Sequence, residues 1–302
     1  MTRPRGRGVK CTNVLWLNLV DAYSIQLFPT QHFNRNIVTM STYREWLKDL
    51  WRYRELFYFL AWRDIKVRYK QTALGVAWAV MQPVFNMLLF TVLFGRIARL
   101  PNDGTPYPVF YFCALLPWTY FASTLGTAGN SLVHDPNLIT KVYFPRAILP
   151  ASAAMGGLVD FCIGSVLLLG ILSYYGIAFD WRTILWPILV VLLISLSLGV
   201  GMFLAALNVK YRDIKYILPF AVQFLLFATP VVYSTRMIPE RYRLLAALNP
   251  LTGIVEGFRA VLVPTRPMDW SLLGISAVLT AAILFAGTMY FRSNERHFAD
   301  VV

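Results

Sequence analysis

Charge is scarce in this sequence. Only 14% of its 302 residues are Asp, Glu, Lys or Arg, while 57% are hydrophobic, and a soluble domain of that length has too little core to hide them. Acids are scarcest: 15 against 28 Lys and Arg, for a net charge of +13. That balance would suit nucleic acid, but the cations sit at the ends of apolar stretches and no reader motif accompanies them, which argues against nucleic acid. Cysteine and histidine are equally sparse. Cys11, Cys113 and Cys162 are far apart and His32, His134 and His297 are scattered, so neither a disulfide framework nor a metal site is readable. There is no G-x-x-x-x-G-K-[ST] run to cradle a phosphate, and no acid–base pair of the kind a glycan-modifying enzyme needs.

What is abundant is apolar sequence in blocks. Crossing hydrocarbon takes about 20 residues of helix. Leu74–Gly95, Val109–Gly129, Ala147–Phe179, Thr183–Leu207, Tyr216–Tyr233 and Trp270–Phe291 are six such runs, the third broken only by Asp160. They predict an all-α integral membrane protein with six transmembrane helices.

Cations flanking spans tend to stay in the cytoplasm. Arg63, Lys66, Arg68 and Lys70 place the chain before Leu74 inside, and the loops holding Lys141 with Arg146, and Lys210 with Arg212 and Lys215, return there. Both termini are then cytoplasmic. Arg96, Arg99 and the cations between Arg236 and Arg266 fall on the other side and run against the rule. Residues 1–39 have a basic start but no apolar core for a cleavable signal, and read as an extension or a misassigned start.

The stretch RDIKVRYKQTALGVAWAVMQP, residues 63–83, packs four cations into eight residues directly before the first run. On a helix, Tyr58, Trp62, Ile65 and Tyr69 share one face, Arg63, Lys66 and Lys70 flank it on one side and Arg68 on the other. Leu56, Leu60 and Val67 form a second apolar line. This predicts an amphipathic interfacial helix, with rings at headgroup level, cations on lipid phosphates and a back packed on protein. Gly75 permits the turn into the span. Further on, Leu244–Val263 has the length of a seventh span, but Asn249–Pro250, Gly253 and Gly257 break it and Glu256 and Arg259 charge it. A broken hairpin in the outer leaflet before the last span is the better fit.

Five motifs then follow in one order: the stretch above, PYPVFYFCALLPWTYFA, NSLVHDPNLITKVYFPRAILP, LNVKYRDIKYILP and LNPLTGIVEGFRAVL. Together, over about residues 43–292, they resemble the transmembrane (permease) subunit of the ABC-2 type polysaccharide exporters, which move O-antigen, capsule or teichoic-acid chains. The resemblance implies a bacterial inner-membrane homodimer served by two copies of a cytoplasmic ABC ATPase, moving lipid-linked polysaccharide outward, as in lipopolysaccharide biosynthesis. ATP and Mg would belong to that partner, and this chain would bind no cofactor and catalyse nothing. An ABC-2 exporter of a drug or small lipid is the first alternative. An ion-coupled secondary transporter is the second, and Asp160 is thin support for the broken polar helices that it needs.

The resemblance places ATPase coupling in the first cytoplasmic loop, on Asn137, Lys141, Phe144, Pro145 and Arg146, with Phe144 as an apolar anchor. It implies an aromatic-lined channel, for which Trp78, Phe85, Tyr111, Trp118, Tyr120, Phe121, Tyr174 and Tyr175 are candidates, since ring faces suit sugars. An interfacial aromatic belt is the competing reading of them. Asp160 joins the channel set, against a packing role as a protonated carboxyl bonded to a neighbouring helix, with Gly156 and Gly157 allowing close approach. Asn249, Pro250, Glu256, Gly257 and Arg259 match the outer gate region. The expected organisation is an extension (1–39), the interfacial region (40–73), the transmembrane domain (74–292) and a cytoplasmic tail (293–302).

Overall fold

Inside hydrocarbon every backbone N–H and C=O must be satisfied within its own segment, so long apolar runs coil into helices. A computed structural model describes residues 43–70, 75–99, 101, 104–135, 138, 143–264, 266–295 and 298. The extension 1–39, Asn137, Lys141 and the side chain of Trp78 lie outside the described residues. Two compact units divide between Glu45 and Trp46, and the second, Trp46–Val302, holds the apolar helices.

The described residues form helices and no strand: α1 (Tyr43–Arg52), α2 (Arg54–Lys70), α3 (Gly75–Phe90), α4 (Tyr107–His134), α5 (Ile148–Tyr174), α6 (Trp186–Lys210), α7 (Ile214–Ala228), α8 (Glu240–Ala247), α9 (Pro250–Leu262) and α10 (Trp270–Asn294). Five stretches are long and apolar enough to cross a membrane: Val80–Ile97, Tyr107–His134, Ile148–Tyr174, Trp181–Lys210 and Trp270–Asn294. The chain is an integral membrane protein. The expected span Tyr216–Tyr233 instead yields α7, a helix of 15 residues, or about 22 Å. It stops at Thr229 because Pro230 disfavours helical backbone in the residue before it.

Helix α4 is apolar all round, and a helix of that kind is buried. It packs against α5, α6, α7 and α9, and carries most of the larger core cluster. A second cluster gathers Trp46, Leu60, Leu132, Phe144, Ile148 and Phe291 at the other end of α4. Helices α6 and α10 meet backbone to backbone, since a Cβ on Gly287 would lie 2.1 Å from the Gly199 carbonyl oxygen. α5 ends in a Schellman motif, with Gly176 at φ +64° and the Ile177 N–H bonded back to the Leu172 carbonyl.

Helix α3 is the least covered of the long stretches. Phe85, Leu88 and Leu89 on it, and Val92 and Leu93 just beyond, are exposed. It widens into a π-turn over Thr91–Ile97, where the Ala98 N–H reaches the Leu93 carbonyl at 2.9 Å. Helices α8 and α9 meet at 101° across a short break.

Candidate functional site

Two polar clusters sit at opposite ends of α4. The first joins α2 to the bundle. Arg63 Nη2 donates to Asp135 Oδ2 at 2.7 Å and Arg63 Nε to Asp64 at 3.0 Å. Burial alone would lower the Arg63 pKa, but the bond and the charge of Asp135 outweigh it and hold the guanidinium above its usual range. One turn further, Arg68 and the Tyr69 hydroxyl both donate to Asp160. Burial and then the neighbouring Asp160 carboxylate push the Tyr69 phenol upward, so it remains a donor.

Helix α2 therefore lies alongside α5 rather than on a lipid surface alone. Gly156 faces the Cβ of Asp64 and Gly157 faces Tyr120 and Thr124, so the glycine pair admits a neighbour on each side. This corrects the reading of the basic collar. Arg63 and Arg68 are spent on carboxylates of the same chain, because α2 buries its Leu60 back against the second core cluster and carries those cations in with it. The outward set is Tyr58, Trp62, Lys66, Val67 and Lys70, with Tyr58 stacked on Trp62 and Lys66 Nζ 5.4 Å from the Trp62 ring. Val67, expected on the packing line, is exposed. Gly75 opens α3.

The second cluster centres on Arg259, fully buried in α9. After α7 ends, carbonyls 230 to 233 have no helical partner. Arg259 Nη1 donates to Pro230 O at 2.7 Å and Tyr233 O at 3.2 Å, and Nη2 to Val231 O at 2.6 Å. Tyr107 Oη supplies the fourth, donating to Val232 O at 2.9 Å. Arg259 also bonds Phe110 O at 3.2 Å through Nε and lies 3.9 Å from the centroid of the Phe110 ring. Glu256 balances the charge, accepting from Arg259 at 2.9 Å and from Arg266 at 3.0 Å. A buried guanidinium is stable only when so surrounded.

Asn249 caps α9 by accepting from the Leu251 N–H, and its amide donates to Thr229 Oγ1 at 2.9 Å, tying α9 to the end of α7. Pro250 occupies the first turn of α9, where no N–H is needed. Gly257 packs on Leu189 and Gly253 on Ser276 and the Leu272 carbonyl. All five gate candidates thus fall within one packed assembly. Arg266 and the carbonyls of 230–233 were not legible in the sequence, because partners this distant along the chain leave no spacing signal.

The aromatic candidates separate. Tyr111, Trp118, Tyr120 and Phe121 are buried within the chain's own core, and their burial closes them to any path along its surface. Phe85, Tyr174 and Tyr175 are exposed. Asp160 keeps about a third of its side chain accessible while paired with Arg68.

In the loop before α5, Phe144 is only 5% exposed, whereas Tyr143 beside it is 84% exposed. Pro145 and Arg146 lead the chain into α5, their carbonyls accepting from the N–H groups of Ile148 and Leu149. The Arg146 N–H donates to Glu295 Oε1 at 2.7 Å and its guanidinium to the Glu295 carbonyl, clamping the loop to the end of α10. Burial pushes the Glu295 carboxyl above its ordinary value, opposed by the hydrogen bonds from the Arg146 N–H and the Trp46 side chain and by the charges of Arg146 and Arg292. Among the described residues no group of His, Cys, Asp and Glu is arranged to hold a metal.

Comparison with known proteins bears on what this arrangement serves. An O-antigen export system permease protein, RfbA, of Myxococcus xanthus is 31% identical over 260 residues, covering 85% of this chain and 98% of that protein. A permease of the same name from Klebsiella pneumoniae is 24% identical over 80% of this chain and 92% of its own length. The polysialic acid transport protein KpsM of Escherichia coli is 26% identical, over 77% of this chain and 91% of its own. The profile of the ABC-2 type transporter family matches residues 55–263, from the start of α2 to the end of α9, and so takes in the first polar cluster and all of the second but Arg266. The chain belongs to the ABC-2 type transporter family.

Proposed function

We propose that this chain is the permease subunit of an ATP-driven exporter that moves lipid-linked polysaccharide across the bacterial inner membrane to its outer face. The observation that carries the reading is the end-to-end match to an O-antigen export permease, which leaves almost none of that protein uncovered. The likeness to a polysialic acid transport protein supports capsule-type polymer as the second cargo class.

Two copies form the channel, each with six membrane segments, α7 being the short one. Motor force comes from a separate ABC ATPase docked at the loop before α5, where Tyr143 is the aromatic presented to a partner. The Arg146–Glu295 clamp transmits a push on that loop to α5 and α10 together. The exposed face of α2 meets anionic headgroups on the cytoplasmic side. Helices α8 and α9 form the outer hairpin, and with this orientation both termini are cytoplasmic.

Deleting the gene tests the reading. Full-length lipid-linked polymer is expected on the cytoplasmic face, with surface polymer gone. Unchanged surface polysaccharide would transfer the protein to the exporters of drugs or small lipids.

A further inference from the structure

Phe298 lies beyond the end of α10, where a chain leaving a membrane helix frays unless something ties it down. It is only 2% exposed. Two sets of contacts hold this stretch. The Glu295 carboxylate accepts from the Arg146 N–H at 2.7 Å, and the Glu295 carbonyl accepts from the Arg146 guanidinium. Phe298 packs edge-on against Phe291 of α10, with ring centroids 5.2 Å apart. Both rings belong to the second core cluster, which also takes Trp46 from α1, Leu60 from α2, Phe144 from the loop before α5 and Ile148 from α5.

That loop has two sides. Tyr143 is exposed, while its neighbour Phe144 is buried in the cluster that holds Phe298. The chain entering the loop is fixed as well, since Asp135 accepts from Arg63 of α2. A push on the outer side of the loop therefore bears on the cluster behind it. Packed interiors transmit strain because they hold few voids. Removing a phenyl ring from such a cluster leaves a cavity that its surroundings fill only in part. Phe144 could then shift in place, and the displacement would be absorbed before it reached α5 and α10.

We propose that the chain after α10, through Glu295 and Phe298, is the backing that keeps the loop before α5 rigid, with Phe298 as its positioning residue. The consequence for transport rests on the ATPase docking proposed at that loop; the rigidity does not.

Amide hydrogen exchange on the full chain in detergent tests the rigidity. The N–H groups of Arg146, Ile148 and Leu149 are all hydrogen-bonded. In Phe298→Ala they are expected to exchange about tenfold faster through local opening, while the amides of α9 keep their rates. Phe298→Leu refills most of the space and is expected to restore slow exchange. Phe298→Val, a smaller truncation, gives an intermediate rise and serves if the alanine variant does not fold. Unchanged exchange at those three amides, or an equal rise throughout the chain, would overturn the backing. Export per ATP hydrolysed is then measured in membranes that contain the ATPase. The alanine variant is expected to export severalfold less polymer per ATP, with leucine restoring it. Faster loop exchange with full export per ATP would support the backing and overturn docking at this loop. Slow loop exchange with lost export would overturn the backing and leave the docking standing.

Discussion

The guanidinium of Arg259 and the carbonyl oxygen of Pro230 are 2.7 Å apart in a site with no solvent access to the arginine. That contact is one of the bonds by which a single cation in α9 replaces the helical partners that the chain after α7 has lost. The hairpin, the end of α7 and the start of α4 are therefore one mechanical unit. If α8 and α9 act as a gate, they move with that unit or about the 101° break between them.

Replacing Arg259 by Leu leaves Glu256 paired with Arg266 and strands at least three carbonyls in an apolar setting. Losing one partner of a buried ionic network costs about 3–5 kcal/mol. The variant is expected to unfold well below the parent in detergent. Arg259→Lys is expected to fail almost as badly, because one ammonium cannot reach acceptors on α4, on α9 and in the 230–233 segment together. A lysine variant with the parent's midpoint would show that charge alone suffices.

The Arg68–Asp160 pair joins α2 to α5 with each side chain about one-third exposed. At that exposure the coupling in a double-mutant cycle of Arg68→Gln and Asp160→Asn is expected to be about 1 kcal/mol or less. Coupling of several kcal/mol would mean that the pair is closed off in the membrane.

Gly287→Ala places a methyl where the Gly199 carbonyl oxygen already stands. Helices α6 and α10 must separate, and overpacking of this kind costs about 1–3 kcal/mol. Gly274→Ala, whose new methyl would meet no atom within 4 Å in the chain, serves as the control and is expected to leave the midpoint unchanged or slightly raised, since alanine is the better helix former.

Burial raises the Glu295 carboxyl above its unfolded value, so the folded protein holds that proton more tightly. The contribution to stability is complete at pH below the ordinary carboxylate range and is lost as pH climbs through the raised value. Glu295→Gln keeps an oxygen for the Arg146 N–H and is expected to flatten that pH dependence, as read from thermal midpoints across the acidic range. An unchanged profile would assign it to another group.

Tyr143→Ser removes the exposed ring before α5 without touching the core. Co-purification of the ATPase subunit with the permease is expected to drop, while permease yield and midpoint hold. Full recovery of the ATPase would move the docking surface to another loop.

Much of this fold was legible as sequence. The apolar runs match five helices long enough to cross, because hydrocarbon accepts only backbone that bonds to itself and length and apolarity decide whether a helix can cross. The break at Asn249–Pro250 was legible for the same kind of local reason, since a cap and a proline mark a helix start whatever surrounds them. The fifth run, Tyr216–Tyr233, is apolar throughout; Pro230 marks where its helix ends early, but the donors that satisfy the carbonyls beyond that end are brought from elsewhere by Arg259 and Tyr107.

Roles on each face were decided later than composition. Trp118 and Tyr120 have the same chemistry as Phe85 and Tyr174, and only the central place of α4 buries the first pair while leaving the second exposed. Arg63 and Arg68 look like Lys66 and Lys70 in the sequence, yet their partners lie 72 and 92 residues away. Where the chain is apolar, where its helices begin and where its backbone must break can all be read from neighbours a few residues apart. Which cations pair, which aromatics face outward and which helix end needs Arg259 depend on the packed fold, because burial and ion pairing belong to helices meeting in space.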